Sequence, residues 1–118
     1  MTEIERATAP YVEQARNTYP QAKRRYLAGL PRGYRFSAVT KLHSPGRVEA
    51  VFVAVTSIKG NLITGRIDNE ILSVAGYKAG DMYTFPEAEL VDWVILRPDG
   101  KEEGNVVGKF LDTWKRPQ

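Results

Sequence analysis

The chain has no cysteine. Disulfides, thiolate metal sites and a cysteine nucleophile are thereby excluded, and the composition fits a cytoplasmic protein. Histidine occurs once, at His43. A histidine could act as a general base, but no nucleophile is marked out as its partner, so it reads as a histidine at a strand end. No apolar run approaches the roughly 20 residues that cross a bilayer, and no signal-peptide core is present, so no membrane partner is expected. The spaced patterns of P-loops, dinucleotide folds, nucleophile elbows, zinc proteases and EF-hands are all missing. Repeats and low-complexity segments are missing too. These absences remove the easily recognised chemistries and leave, as a further alternative, an enzyme with an unrecognised carboxylate site drawn from Asp68, Glu70, Asp81, Glu87, Glu89 and Asp92.

What is present reads as one domain over residues 1–118, helical over 1–33 and β-rich over 34–112. The 118 residues are 42% hydrophobic with a net charge of +3. That charge is unevenly spread. Arg6, Arg16, Lys23, Arg24, Arg25, Arg32 and Arg35 crowd the first third against Glu3, Glu5 and Glu13. Asp81, Glu87, Glu89, Asp92, Asp99, Glu102 and Glu103 crowd a later stretch against Arg97 and Lys101. The pattern predicts a basic end and an acidic end.

Thr2 with Glu5 predicts a capping box and a helix start. Pro10 interrupts that helix, Thr8 caps a second start, and Pro20 opens another segment before Gly29, Pro31 and Gly33 stop it. Tyr34 to Leu42 alternates as a half-buried strand, with Val39 as the apolar residue on its outer face. Val48 to Val55 is apolar on both faces and reads as a central strand covered on both sides. Leu62 to Ile67 completes a hairpin, with Gly65 marking a bulge or a close approach. Asp68-Asn69-Glu70 leaves the sheet, and Ile71, Leu72 and Val74 pack in an irregular segment. Met82 to Phe85 and Val91 to Leu96 are further strands, separated by Pro86, and Asp99-Gly100 is a hairpin turn. Asn105 to Leu111 is expected to return as an edge strand that could pair with a second copy, although Gly104 and Gly108 weaken it. Trp114 is placed to cover the open end of the core. The fold class is therefore α+β: two N-terminal helices packed on a strongly bent antiparallel sheet, or a half-open small β-barrel, of five to six strands.

The segments Ala15-Arg16-Asn17-Thr18-Tyr19-Pro20, Tyr34 to Leu42, Val48 to Val55 and Ile63 to Glu70 also carry a resemblance. So do Gly80-Asp81, Val91-Asp92-Trp93, Asp99-Gly100-Lys101 and Gly104-Asn105. Together, over residues 11–112, they resemble the YegJ-like bacterial domain of unknown function. The resemblance implies a fold and a bacterial or phage origin, and no activity. The chain departs from it twice: Glu49-Ala50-Val51-Phe52 stands where that domain has Glu-His-Met-Trp, and Ile71 stands near a missing proline. Any chemistry of that histidine is lost here.

Two surfaces are candidates for binding. Glu87, Glu89, Asp92 and Trp93, with Asp68 and Asn69, could form an aromatic-bearing acidic face for a basic protein partner. The bland reading is that Trp93 packs in the core, Asp92 bonds a backbone amide, and Asp68 and Asn69 cap a turn. Alternatively Arg16, Lys23, Arg24 and Arg25, beside Tyr19 and Tyr26, could bind nucleic acid. The sequence favours a non-enzymatic protein-binding module, of which an immunity- or antitoxin-like protein is one version, with no catalytic residue, metal or cofactor.

Overall fold

The computed structural model describes residues 2–114. Thr2 opens the fold as predicted: its hydroxyl accepts from the Glu5 amide at 3.2 Å, and the Glu5 carboxylate accepts from the Thr2 amide at 3.3 Å. From this cap runs a single helix, α1 (Glu3–Ala28), where the sequence suggested two. Pro10 and Pro20 both lie inside it. Each removes a backbone donor and crowds the preceding turn, at a cost of about 3 kcal/mol in an isolated helix. Packing overrides that cost. Ala15, Tyr19 and Ala22 recur on one face of α1 and are all buried against the sheet.

Six antiparallel strands follow: β1 (Arg35–Ser44), β2 (Arg47–Lys59), β3 (Leu62–Ile67), β4 (Met82–Pro86), β5 (Asp92–Leu96) and β6 (Glu102–Gly104). Their spatial order is β4-β3-β2-β1-β5-β6. The sheet does not close into a barrel; β4 and β6 remain its edges. It is nonetheless forced to bend. Pro86 pairs with Leu62, which pairs with Lys59 at one end of β2, whereas Asp92 pairs with Val39, which pairs with Phe52 well up the same strand. On a flat sheet these positions would lie about 28 Å apart, from strand spacing and rise. The chain from Pro86 to Asp92 reaches about 20 Å even when fully extended, and Glu87–Glu89 form a 3-10 turn that shortens it. The sheet must curl so that β4 and β5 approach across its concave face. The link passes over that face: Leu90 is buried in the core, and the Glu89 carbonyl accepts from the Thr40 hydroxyl at 2.8 Å.

The concave face holds the core. Phe36, Ala38, Leu42, Val51, Val53, Ile63, Ile67, Phe85, Trp93 and Ile95 meet α1 and the link there. The expectation that β2 is covered on both sides does not hold: Val51 and Val53 are buried, but Val48 and Phe52 lie open on the convex side. β2 looked doubly apolar because the convex face carries unpartnered apolar groups. Val39, placed on the outer face by its parity, is itself covered. Gly65 is a close approach, as predicted. A Cβ there would run into the Ala54 carbonyl, next to the register shift between Val55 and Ser57.

The C-terminal segment corrects a second expectation. Instead of an edge strand over 105–111, β6 ends at Gly104 and the chain turns into α2 (Val106–Thr113). Asn105 makes that turn in the left-handed region at φ 55°. Val107, Phe110 and Leu111 have helical spacing, which the expectation of a strand overlooked. Tyr11 of α1 stacks on Phe110 of α2 with ring centroids 4.3 Å apart. Trp114, at the C-terminal end of α2, is half-buried. In the 68–81 connection Val74 is buried and Ile71 half-buried, but Leu72 is 83% exposed rather than packed. No helix among the described residues is long and apolar enough to cross a membrane.

Pro20 is exposed, so the helix retains it without using its ring for packing. Pro20→Ala restores one helical hydrogen bond and is expected to stabilise the protein by about 1–3 kcal/mol. Denaturant unfolding measures this; a destabilised variant would show that α1 requires its interruption.

Candidate functional site

Asp92 and Trp93 begin β5, where the link drops onto the sheet. Asp92 is 1% exposed, and its carboxylate accepts from the Trp93 amide at 2.8 Å and from the Val107 amide at 2.9 Å. It thereby caps the N-terminus of α2, where orphan amides and the helix dipole favour a negative group. Burial pushes its pKa up, and these amide bonds oppose the shift. Trp93 is 8% exposed, and its ring N–H donates to the Thr18 hydroxyl at 3.0 Å. The Asn105 amide donates to the Trp93 carbonyl, and Gly104 lies so close to the ring that no side chain would fit. Both residues of this candidate face thus join α1, β5 and α2.

Members of the two charge clusters pair with each other in partly exposed ion pairs. Glu87 accepts from the Tyr19 hydroxyl at 2.5 Å and pairs with Lys23 at 2.8 Å. Burial, with the Glu87 carboxylate beside it, pushes the Tyr19 hydroxyl pKa up. Glu103 receives Arg25 through both guanidinium nitrogens, at 2.7 and 3.0 Å, and Arg97 at 3.1 Å. Hydrogen bonding from Arg25 leads the causes that hold Glu103 well below the usual carboxylate range, at about 2. Arg16 donates to the Leu90 carbonyl at 2.9 Å. Of the basic candidates only Arg24 projects to solvent without a bonded partner among the described residues. Glu89 and Asp68 are exposed.

Asn69 has a structural tie: its side-chain oxygen accepts from the Phe52 amide at 2.5 Å. The stronger anchor of the 68–81 connection is Glu49, which the sequence reading did not single out. Its carboxylate accepts from three successive amides, Leu72 at 2.9 Å, Ser73 at 2.8 Å and Val74 at 3.2 Å. Those bonds, led by the Leu72 amide, lower its pKa. Successive amides converging on one carboxylate form a nest. The available signal was a lone carboxylate in an otherwise apolar strand.

Above the sheet, a cleft of about 700 Å³ lies between α1, α2 and the β1–β2 hairpin. Ile4, Thr8 and Val12, spaced four residues apart on α1, form one wall; Val107 and Leu111 of α2 form another; His43, Val48 and Ala50 close it from the sheet. Ile4, Val48 and Leu111, one from each of these sides, are 43%, 56% and 38% exposed, so apolar groups in the cleft are open to solvent, beside Glu5, Arg16, Lys41 and Glu89, which also line it. His43 is its sole histidine, and no three His, Asp or Glu side chains among the described residues converge to hold a metal ion.

Residues 4–112 match the family described as "Uncharacterized protein conserved in bacteria (DUF2314)". The chain belongs to that family. Neither a curated protein nor a solved structure matches the chain. In this DUF2314 domain, several of the positions that carried the resemblance fall on the ties just described. Thr18, Asp92, Trp93, Gly104 and Asn105 build the junction of α1, β5 and α2, while Glu49 and Asn69 fasten the 68–81 connection.

Two consequences are measurable. Asp92→Ala removes the α2 cap and should destabilise the protein by about 1–3 kcal/mol, with faster hydrogen exchange at the Val107 amide; unchanged exchange there would refute the capping role. The Glu103 carboxylate is held low, so its stabilisation is present above the ordinary carboxylate range and is lost as pH falls toward about 2. Glu103→Gln should therefore be less stable at neutral pH and show a shallower loss of stability on acidification. Asp92 has the opposite sign, since its raised pKa makes stability fall as pH rises past it.

Proposed function

We propose that this domain is a non-catalytic protein-binding module whose docking surface is the cleft between α1, α2 and the β1–β2 hairpin. The observation that carries the reading is the convergence of Ile4, Val48 and Leu111, all substantially exposed, on one cleft from three sides. Apolar side chains exposed together in a concavity favour a partner that buries them, whereas scattered ones need no explanation. The cleft is also pre-organised. The Tyr11–Phe110 stack fixes the two helices, and Asp92 fixes the start of α2. Little ordering entropy then opposes docking. The partner is accordingly a protein segment with an apolar side chain to insert.

The version in which an acidic edge blocks a basic toxin, as an immunity protein would, has less charge to work with. Glu87 and Glu103 are bonded to Lys23, Arg25 and Arg97, and Asp92 is buried. The nucleic-acid alternative is reduced by the same pairs, which occupy Lys23 and Arg25. A protein module using the exposed apolar groups of the cleft needs neither cluster free.

Val48→Asp and Leu111→Asp place charge on opposite walls without touching the core. The expected outcome is that a partner retained by the wild-type protein from its native host is lost by both variants, with melting temperatures close to wild type. Retention by both, or a wild-type protein that retains nothing, would overturn the reading.

A further inference from the structure

We propose that two copies of this chain pair through the free edge of β4, in antiparallel fashion about a two-fold axis at Thr84. The direction of the backbone groups carries the argument. On the inner side of β4, Ile67 donates to the Asp81 carbonyl at 2.9 Å and Glu87 donates to the Asn61 carbonyl at 2.8 Å. In an antiparallel pair such bonds fall on alternate residues. Tyr83 and Phe85 therefore face β3, and the amides and carbonyls of Met82 and Thr84 point outward. Among the described residues those outward groups have no partner. An edge of this kind is a template for another strand. The opposite edge, β6, is three residues long and ends at Gly104, so it offers much less.

The side chains identify the occupant as a second copy. Met82 and Leu62 are 52% and 45% exposed and lie on the same convex face, at opposite ends of the edge. Pro86 stands beside Leu62 in the register of β3 with β4. Rotating one copy onto another about Thr84 sets Met82 of each against Pro86 and Leu62 of its mate. The patch is complementary to itself, as a two-fold interface requires. A register one residue away, centred on Tyr83, would make as many backbone bonds but would leave Met82 opposite Thr84. The apolar contacts select the Thr84-centred register. Pro86 lacks an N–H and ends the pairing there, which limits the contact to a discrete dimer rather than a growing sheet. This edge shares no residue with the cleft of the proposed function, so the two readings are tested separately.

Sedimentation over a micromolar-to-millimolar series reads the association. The wild-type protein is expected to double in mass. Thr84→Pro removes an outward amide without breaking a bond to β3 and should give the single-chain mass with an unchanged far-UV spectrum. Should that variant misfold, Met82→Lys supplies the same reading through the apolar contact. The absence of native cysteine permits a direct check of register. In the proposed pairing the two Thr84 Cα atoms are about 5.5 Å apart, within the span of a disulfide, so Thr84→Cys should crosslink under mild oxidant. Lys101→Cys, on the far hairpin, should not. A wild-type protein that stays single-chain throughout, a dimer insensitive to both Thr84→Pro and Met82→Lys, or equal crosslinking of both cysteine variants would each overturn the proposal.

Discussion

The fold depends on the shortness of the link between β4 and β5. Three strands separate its two ends in the sheet, yet Glu87–Val91 must carry the chain between them. That reach is available only if the sheet curls, and curling creates the concavity that Leu90 and one face of α1 fill. The link then supplies the groups that hold α1 in place: the Glu87 carboxylate to Tyr19 and Lys23, and the Leu90 carbonyl to Arg16. Sheet curvature, helix position and the buried polar contacts are consequences of one connection length. The same constraint explains why α1 tolerates two prolines, since a helix fixed along its length by such contacts does not rely on local propensity.

The placement of α1 over the concave face pairs basic and acidic residues that the sequence keeps apart. Lys23 and Arg25 are far from Glu87 and Glu103 in the chain, but α1 lies over the concave face and brings them together. Individually, such partly exposed pairs contribute less than about 1 kcal/mol each. Their larger effect is to remove charge from the two surfaces that composition made attractive. Topology decides which side chains meet, and a charge count along the chain does not contain it.

Much else was legible because it rests on local chemistry. The Thr2–Glu5 cap, the Asp99-Gly100 turn and the tight Gly65 position follow from residue type and immediate neighbours, whereas Asp92 and Trp93 were open there to a partner-binding as well as a structural reading. The antiparallel sheet follows from alternation and turn spacing. Two errors share a different cause. Splitting α1 at Pro10 and Pro20 gave local propensity more weight than tertiary burial, and reading 105–111 as a strand gave its valines more weight than the spacing of Val107, Phe110 and Leu111. Neither Asn105 in the left-handed region nor the Asp92 cap, which together make α2, can be seen without the partner strand. Glu49 was missed for a similar reason, since its significance lies in three amides more than twenty residues away.

The ties at Asp92 and Glu49 bear on function through what they leave free. Each uses a carboxylate to satisfy backbone donors, so neither is available as an acid or base to a substrate without undoing local structure. Asp92 in particular cannot be presented to a ligand while it caps α2. A chain that spends its best-placed carboxylates and arginines internally keeps apolar groups as its distinctive surface: the cleft wall at one end of α1 and the Met82–Leu62 edge on β4. On the reading proposed above, these apolar groups stand on rigid, pre-formed elements where a partner would bury them.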